Sequence, residues 1–510
     1  MTDRLHSFTL GDVVRENARW LPDTEAIVCG DDRLTYPEID ARTTKLANVL
    51  RDIGVERGDR VAWLGLNCHR LFEFIFACSK AGAVAAPLNW RLSSAETAAI
   101  LEDIRPKVII GSSRPEFDEV NANARAVLPS AGWLSYDDGS YEQALDAASS
   151  VDPAQDDDDE AGVLIIMTAA FAGKPKAAVL TSRGIVQQDL MLGAVGGVKP
   201  MTETYLSSGP MFHIGVLLKA FALFHWGGLN VMIPRVDAEE VCRLIDREHC
   251  TSAFVFGPTI KEMAELNADG RYDLHSLNDV LGGTPPPELD DAWYSMTSCP
   301  RPGSQPRGAV GYGTSETVGM ITYEGRLPVG TGTFGRPGPA MAVRIVDPDG
   351  AEVPVGQIGE IVARGPQVMV GYLGLEPMDP QGWRWTGDLG RREADGSFTF
   401  LGPNQEMIKT GMENVYPVEV ENALKEHPAV KDACVIGVPD SVWGHSVRAV
   451  VELADGEPAE PDELIEFVRD RIASYKKPKS VVIVEALPRS GPFVDRPAVK
   501  GKYGEGETWQ

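Results

Sequence analysis

The chain reads as an α/β protein in two unequal bodies: a large one built on parallel sheets with helices and a β-rich subregion, and a small α/β one at the C-terminal end. Three observations predict this. At 510 residues the chain exceeds what one core holds, since single cores stop growing near roughly 250–300 residues. Short apolar runs alternate with helical patterns over residues 8 to 115, the mark of βαβ units and a largely parallel sheet. The pattern then changes twice, to short alternating strands from Gly335 to Gly374 and again near Gly402-Pro403-Asn404-Gln405. This makes residues 1–402 the large body and 403–510 the small one.

The elements follow in order. Thr35 with Glu38 forms a capping box and Pro37 suits a first turn, so a helix opens there, with Ile39, Leu46, Val49, Leu50 and Ile53 at helical spacing. A strand over Arg60 to Leu66, a helix over Leu71 to Ala81, a strand over Ala83 to Leu88, a helix capped by Ser93 and Glu96, and a strand over Lys107 to Gly111 come next. Asp152 to Ala161, with its acidic run, is a solvated connection. Val163 to Met167 is apolar and short enough for a buried strand; Thr168, small residues through Gly173, then Lys174, Pro175 and Lys176 make a tight loop before a second apolar run. Such a loop lets backbone N–H groups converge on an anion while lysines balance its charge, although an ordinary hairpin with solvated lysines has the same composition. At Phe212-His213 a histidine sits beside an aromatic at a bend, either as a hydrogen-bonded core group or as part of a site. Tyr312-Gly313-Thr314-Ser315-Glu316 offers a ring to stack, phosphate ligands and a carboxylate for magnesium, or else a glycine-rich turn. Asp395-Gly396 marks a hairpin. The small body divides into a helix at Pro417 to Glu426, strands at Val430 to Val438 and Val447 to Leu453, a helix at Pro461 to Tyr475, and a strand at Ser480 to Glu485.

Composition narrows the function classes. The formal charge of −26, from 48 basic and 74 acidic residues, argues against nucleic acid or an anionic membrane as partner. Seven cysteines without a C-x-x-C pair indicate neither a disulfide framework nor a zinc site, and point to reduced thiols in a cytoplasmic protein. The N-terminus has no signal-peptide core. Val216 to Pro234, the most apolar long stretch, carries Lys219, His225 and glycines, so no membrane span is expected.

Taken together and in order, these stations resemble the adenylate-forming superfamily of acyl-CoA and aryl-CoA synthetases, luciferases and peptide-synthetase adenylation domains. The resemblance runs from Leu34-Thr35-Tyr36 and Lys80-Ala81-Gly82-Ala83 through Pro87-Leu88-Asn89-Trp90-Arg91-Leu92 to Leu487-Pro488-Arg489. It is most specific at Tyr312 to Glu316, at Thr386-Gly387-Asp388 and across Met407 to Glu421. It implies an AMP-forming acyl-CoA synthetase acting on a fatty, alicyclic or aromatic carboxylic acid, with ATP, Mg2+ and coenzyme A; a homodimer is compatible with it. A carboxylate would attack the α-phosphate to give acyl-adenylate and pyrophosphate, and after rotation of the small domain the CoA thiol would displace AMP. By the same resemblance Asp388 grips the ribose, Tyr312 faces the adenine, Gly313 and Thr314 complete that motif, and Glu316 holds magnesium. Thr168, Gly173 and Lys176 belong to the phosphate loop, and His213 lines the acyl-adenylate site. Gly282, Gly283 and Thr284 wall the pocket, Lys409, Gly411 and Met412 lie on the thioester-forming face, and Gln405 occupies the hinge.

Three departures stand beside the match. The family's T-S-G-T-T-G loop is Thr168-Ala169-Ala170-Phe171-Ala172-Gly173 here, so hydroxyl donors are missing, each worth roughly 1.5–3 kcal/mol toward a charged group. The arginine after the hinge-proximal glycine is Pro403. Aligning Val494-Asp495-Arg496 places Phe493 on the family's adenylation lysine, and loss of one such transition-state donor costs roughly 10²–10³ in rate. Lys500 and Lys502 are the candidate substitutes in the tail. Weakened adenylation is therefore expected. The rival readings are a ligase of the same fold with another acceptor, and a non-catalytic relative that only binds acyl groups or nucleotide.

Overall fold

A computed structural model describes residues 7–153, 158–168, 175–195, 197–283, 285, 289–301, 311–324, 333–376, 378, 382–403, 408–411, 413–415, 417–454, 456–490 and 493–504, the side chains of 401–403, 414, 418, 490, 493 and 497 aside. Two largely parallel sheets dominate the large body. One runs, by strand, Asp279–Leu281, Ser252–Phe254, Thr204–Ser207, Leu229–Met232, Glu25–Cys29, Asp32–Thr35. The other runs Gly371–Tyr372, Lys176–Thr181, Gly162–Thr168, Val84–Pro87, Arg60–Leu64, Val108–Gly111, Gly132–Ser135. Only the edge pairings Glu25–Cys29 with Asp32–Thr35, and Gly371–Tyr372 with Lys176–Thr181 with Gly162–Thr168, are antiparallel.

Helices Tyr36–Asp52, His69–Ala81 and Ile214–Trp226 fill the space between the sheets, and one core takes residues from both. Aromatic rings interlock there: Phe224 lies 4.8 Å from Phe72 and 5.1 Å from Phe76, centroid to centroid. Truncating a ring so placed costs about 3–5 kcal/mol. Both capping boxes read from the sequence form, with Thr35 and Ser93 accepting from the N–H groups of Glu38 and Glu96.

The β-rich stretch closes into an antiparallel sheet of Ala342–Val346, Ile358–Arg364, Arg384–Arg392 and Phe398–Pro403, with the turn at Asp395-Gly396 as expected. In the C-terminal part, Val430–Asp440, Gly444–Leu453 and Ser480–Val484 make a three-stranded sheet with helix Pro417–Lys425 against it. Helix Pro461–Arg469 stops well before the expected Tyr475. The chain instead turns after Asp470, burying Ile472 and Ala473 and carrying Lys476 to Glu96 of the large body. A continuous helix would place that ammonium elsewhere.

Several of the expected site residues stand at strand ends. His213 follows the end of strand Thr204–Ser207, Gly282 and Gly283 follow Asp279–Leu281, and Thr168 ends Gly162–Thr168. Loops beyond the carboxyl ends of parallel strands are where open α/β sheets bind ligands.

Candidate active site

The Tyr312 to Glu316 motif forms a tight hairpin. A Cβ on Gly313 would lie 1.7 Å from the carbonyl oxygen of Gly319, so the pairing of Gly313–Thr314 with Gly319–Met320 admits only glycine there. Thr314 caps a short 3₁₀ turn, Ser315–Thr317, and receives nothing from a long side chain: its N–H donates to the Thr317 hydroxyl at 2.9 Å. The turn ends at Val318, a buried β-branched residue held at φ 51°. Backbone strain of this kind costs on the order of 1–3 kcal/mol and clusters at functional sites. Here it aims Glu316 inward.

Glu316 Oε1 accepts from the Tyr372 hydroxyl at 2.7 Å and from Arg384 Nη2 at 3.2 Å, and Arg384 Nη2 also meets the Tyr372 oxygen at 2.8 Å. Burial first, and the Glu316 carboxylate second, push the Tyr372 hydroxyl up to about 12, so it remains a donor. Lys176 stands 4.9 Å from the Tyr372 ring centre. Thr168 pairs across the strands with Lys176 and donates its hydroxyl to that residue's carbonyl at 3.4 Å. Lys176 and the Glu316 carboxylate thus meet around one tyrosine.

Tyr312 is buried, its ring 5.3 Å from Phe398 and 5.4 Å from Phe400, and its hydroxyl donates to Asp388 Oδ2 at 2.7 Å. What it supplies directly is the orientation of that carboxylate. Burial lifts Asp388 above the usual carboxylate range, the Tyr312 hydrogen bond opposes this, and the charges of Glu316 and Glu360 add to the rise. Its strand, Arg384–Arg392, also carries Arg384.

His213 begins helix Ile214–Trp226, and its Nε2 lies 3.5 Å from Glu413 Oε2, at ion-pair distance. Arg91 Nη1 reaches the other oxygen of Glu413 at 2.7 Å. Burial alone would raise Glu413; His213 and Arg91 outweigh it and hold the carboxyl below its ordinary value. Glu413 belongs to the hairpin Ile408–Thr410 with Glu413–Val415, which carries Lys409, exposed, and Gly411 at φ 61°. The Gly411 N–H donates to the Trp443 carbonyl at 2.9 Å, and a Cβ there would press on the Trp443 ring. Gly282, at φ 99°, and Gly283 sit against Phe256, with Phe254 5.2 Å from Phe256.

Of the residues expected from sequence, Lys176, which pairs with Thr168, and Glu316 meet at Tyr372, Tyr312 of the Gly313-Thr314 hairpin holds Asp388, His213 meets Glu413 on the hairpin that carries Lys409 and Gly411, and Gly282 and Gly283 lie against Phe256. Gly173, Thr284, Gln405 and Met412 lie outside the described residues. The segment with Phe493 pairs as Phe493–Val494 with Arg489–Ser490, and Arg489 bonds Asp432 of the same C-terminal part. Lys500 and Lys502 lie on helix Arg496–Tyr503, which packs against strand Val430–Asp440.

Sequence reasoning missed Arg384 and Tyr372, and gave Arg91 and Glu413 no role although both stand inside the quoted motifs. A charged residue between Trp383 and Trp385 in a strand is the signal that pointed to Arg384. As to magnesium, the described residues hold no group of three or more acidic, histidine or cysteine ligands. One carboxylate fits this cation when substrate phosphates supply the remaining oxygens, as magnesium usually binds.

Two family models match the chain: AMP-binding enzyme over residues 14–373 and AMP-binding enzyme C-terminal domain over residues 419–493. A feruloyl-CoA synthase from Amycolatopsis sp is 35% identical over 494 residues, 94% of this chain and 96% of that one. The o-succinylbenzoate CoA synthetase MenE from Bacillus subtilis superposes in two ways. A double mutant bound to the product analogue OSB-NCoA gives a TM-score of 0.79 at 25% identity, covering 96% of this chain and 97% of that one. The complex with the acyl-adenylate intermediate OSB-AMP gives 0.64 at the same identity and coverage. With family models spanning most of its length and a relative this similar, the chain belongs to the adenylate-forming superfamily of AMP-binding enzymes, among the AMP-forming acid–CoA ligases.

Proposed function

We propose that the protein activates a fatty, alicyclic or aromatic carboxylic acid as its acyl-adenylate and passes the acyl group to coenzyme A, with adenylation slower than the thioester step's geometry would allow. The observation that supports this is a pair of carboxylate clusters, each held by hydroxyl or cationic partners. Asp388 and Glu316, held by Tyr312, Tyr372 and Arg384, face the nucleotide, while Glu413, held by His213 and Arg91, closes the acyl side. Asp388 accepts the ribose hydroxyls. Glu316, with the phosphates, would hold magnesium, which supplies charge neutralisation to the leaving pyrophosphate. His213 lines the reacting carboxyl, and Phe212, Phe254 and Phe256 with the two glycines present an apolar wall to the acyl group. Most of the rate then comes from positioning and fixed charge.

We also propose that residues 1–402 and 403–510 move as separate bodies. Ile408 packs into the C-terminal core and the Phe398–Pro403 strand into the large body's sheet, which supports a boundary between them. The better fit to the product-analogue complex of MenE than to its adenylate complex supports reading the present arrangement as the thioester-forming one.

The experiment is direct: purified protein with ATP, magnesium, coenzyme A and a panel of carboxylic acids, followed for pyrophosphate and for thioester. Both products should appear with a fatty, alicyclic or aromatic acid. Pyrophosphate without thioester would point to another acceptor, and nucleotide binding without pyrophosphate to a non-catalytic role. Phe493→Lys should raise pyrophosphate release roughly tenfold or more, up to the roughly 10²–10³ that one transition-state donor contributes. An unchanged rate would remove the missing lysine as the limit.

A further inference from the structure

Glu316 already has a cation. Its Oε1 takes Arg384 Nη2 at 3.2 Å and the Tyr372 hydroxyl at 2.7 Å, with the glutamate side chain 15% and the arginine side chain 19% exposed. At that burial the guanidinium neutralises the carboxylate. Arg384 is not spent by this contact: its Nε is buried without a hydrogen-bond partner among the described residues, and its Cζ stands 5.4 Å from the Tyr372 ring centre. Lys176, the first residue of strand Lys176–Thr181, approaches the same ring at 4.9 Å. Backbone pairing fixes the cluster, because Tyr372 is opposite Ala178 in the strand that begins at Lys176, and Arg384 is opposite Ala363 in the antiparallel sheet. Two cations therefore flank one tyrosine where the triphosphate would lie.

We propose that Arg384 is a resident phosphate-binding cation that lets this protein hold ATP without a metal ion, sharing with magnesium the place beside Glu316. This rests on the reading of the cleft as a nucleotide site. A fork of N–H donors on a flat cation matches phosphate oxygens two at a time, which an alkyl ammonium does not. When nucleotide enters, the guanidinium exchanges its contact with Glu316 Oε1 for phosphate oxygen, or shares both; no bond is made or broken. Magnesium would compete for that oxygen rather than complete an empty site.

The test is equilibrium binding, by titration calorimetry, of an ATP analogue with a methylene bridge between the α- and β-phosphates, in excess magnesium and in excess EDTA. The wild-type protein is expected to bind in EDTA within roughly fivefold of its affinity in magnesium. Arg384→Gln should weaken binding in EDTA roughly tenfold more than it weakens binding in magnesium, since hydrogen bonds to charged groups carry that much. Arg384→Lys, which keeps the charge but not the fork, should fall between. Three results overturn the proposal: wild-type binding that disappears in EDTA, an Arg384→Gln loss that is equal in both conditions, as a merely structural arginine would give, or no effect of the substitution. The first needs no variant and so does not depend on how the variants fold. If the wild-type protein fails to bind the analogue even in magnesium, the nucleotide reading of the cleft falls, and this proposal with it.

Discussion

The two sides of the cleft are built differently. In the cluster proposed to face the nucleotide, the carboxylates are fixed within one body, by neighbours on paired strands: Tyr312 on Asp388, Tyr372 and Arg384 on Glu316. On the thioester side every important contact joins the large body to the C-terminal part. Arg91 and His213 reach Glu413, and Lys476, buried, bridges Glu96 and Glu419, the first at 2.9 Å. The first side is a rigid template. The second exists only while the C-terminal part is in place, so its charges act as a latch as well as a lining. Substitutions should therefore separate: damage to the template lowers both products, and damage to the latch lowers thioester alone.

Asp388→Ala should have the largest effect. On the proposed role of Asp388 as acceptor of the ribose hydroxyls, its removal forfeits about 1.5–3 kcal/mol for each hydrogen bond to a charged group, so pyrophosphate and thioester should fall together by roughly 10²-fold. Loss of thioester alone in this variant would erase the distinction between the two sides. Glu96→Gln should act more mildly and on the other side. Glutamine still serves the capping box with Ser93, but the charge facing Lys476 is gone. Thioester formation should slow by roughly three- to tenfold with pyrophosphate release unchanged in a single turnover, because the amide keeps an acceptor while losing the ionic part. An equal fall in both products would make Glu96 a stability residue only.

The smallest effect is in the pH response, where the two carboxylates differ in sign. Glu413 is held below its ordinary value, so its contribution to joining the bodies is complete above about pH 4.3 and is lost only as the pH falls through the lower folded value. Asp388 is held above its ordinary value, so the stability linked to it is full below about pH 3.9 and declines as the pH rises through the higher folded value, where the useful ionised form appears. On acidification from about pH 7 to about pH 4, the pyrophosphate rate should thus fall before the ratio of thioester to pyrophosphate does. Rates measured for both products across that range check the order, and the reverse order would contradict the assignment of Asp388 to the nucleotide.

Much of this was legible beforehand. The capping boxes at Thr35 and Ser93 are local, since each is decided by residues three apart, and both formed as read. The parallel strands follow from short apolar runs between helices. Tyr312 to Glu316 and Thr386 to Asp388 could be placed by motif, because a hairpin that admits no Cβ leaves little choice of residue. The helix from Pro461 was overextended for the opposite reason: Ile472 and Tyr475 continue the helical spacing, and only the buried reach of Lys476 to Glu96 shows why the chain turns after Asp470.

The amino-acid order by itself determined the elements, the family motifs and the departures from those motifs, since a missing hydroxyl or lysine is missing in any conformation. What only the tertiary structure decided is which charges face one another. Arg384 stands 68 positions from Glu316 and Arg91 stands 322 from Glu413. No periodicity spans such gaps. Coulomb attraction in a partly buried cleft depends on the final few ångströms between groups, and those distances are set by sheet register and by the seat of the C-terminal part.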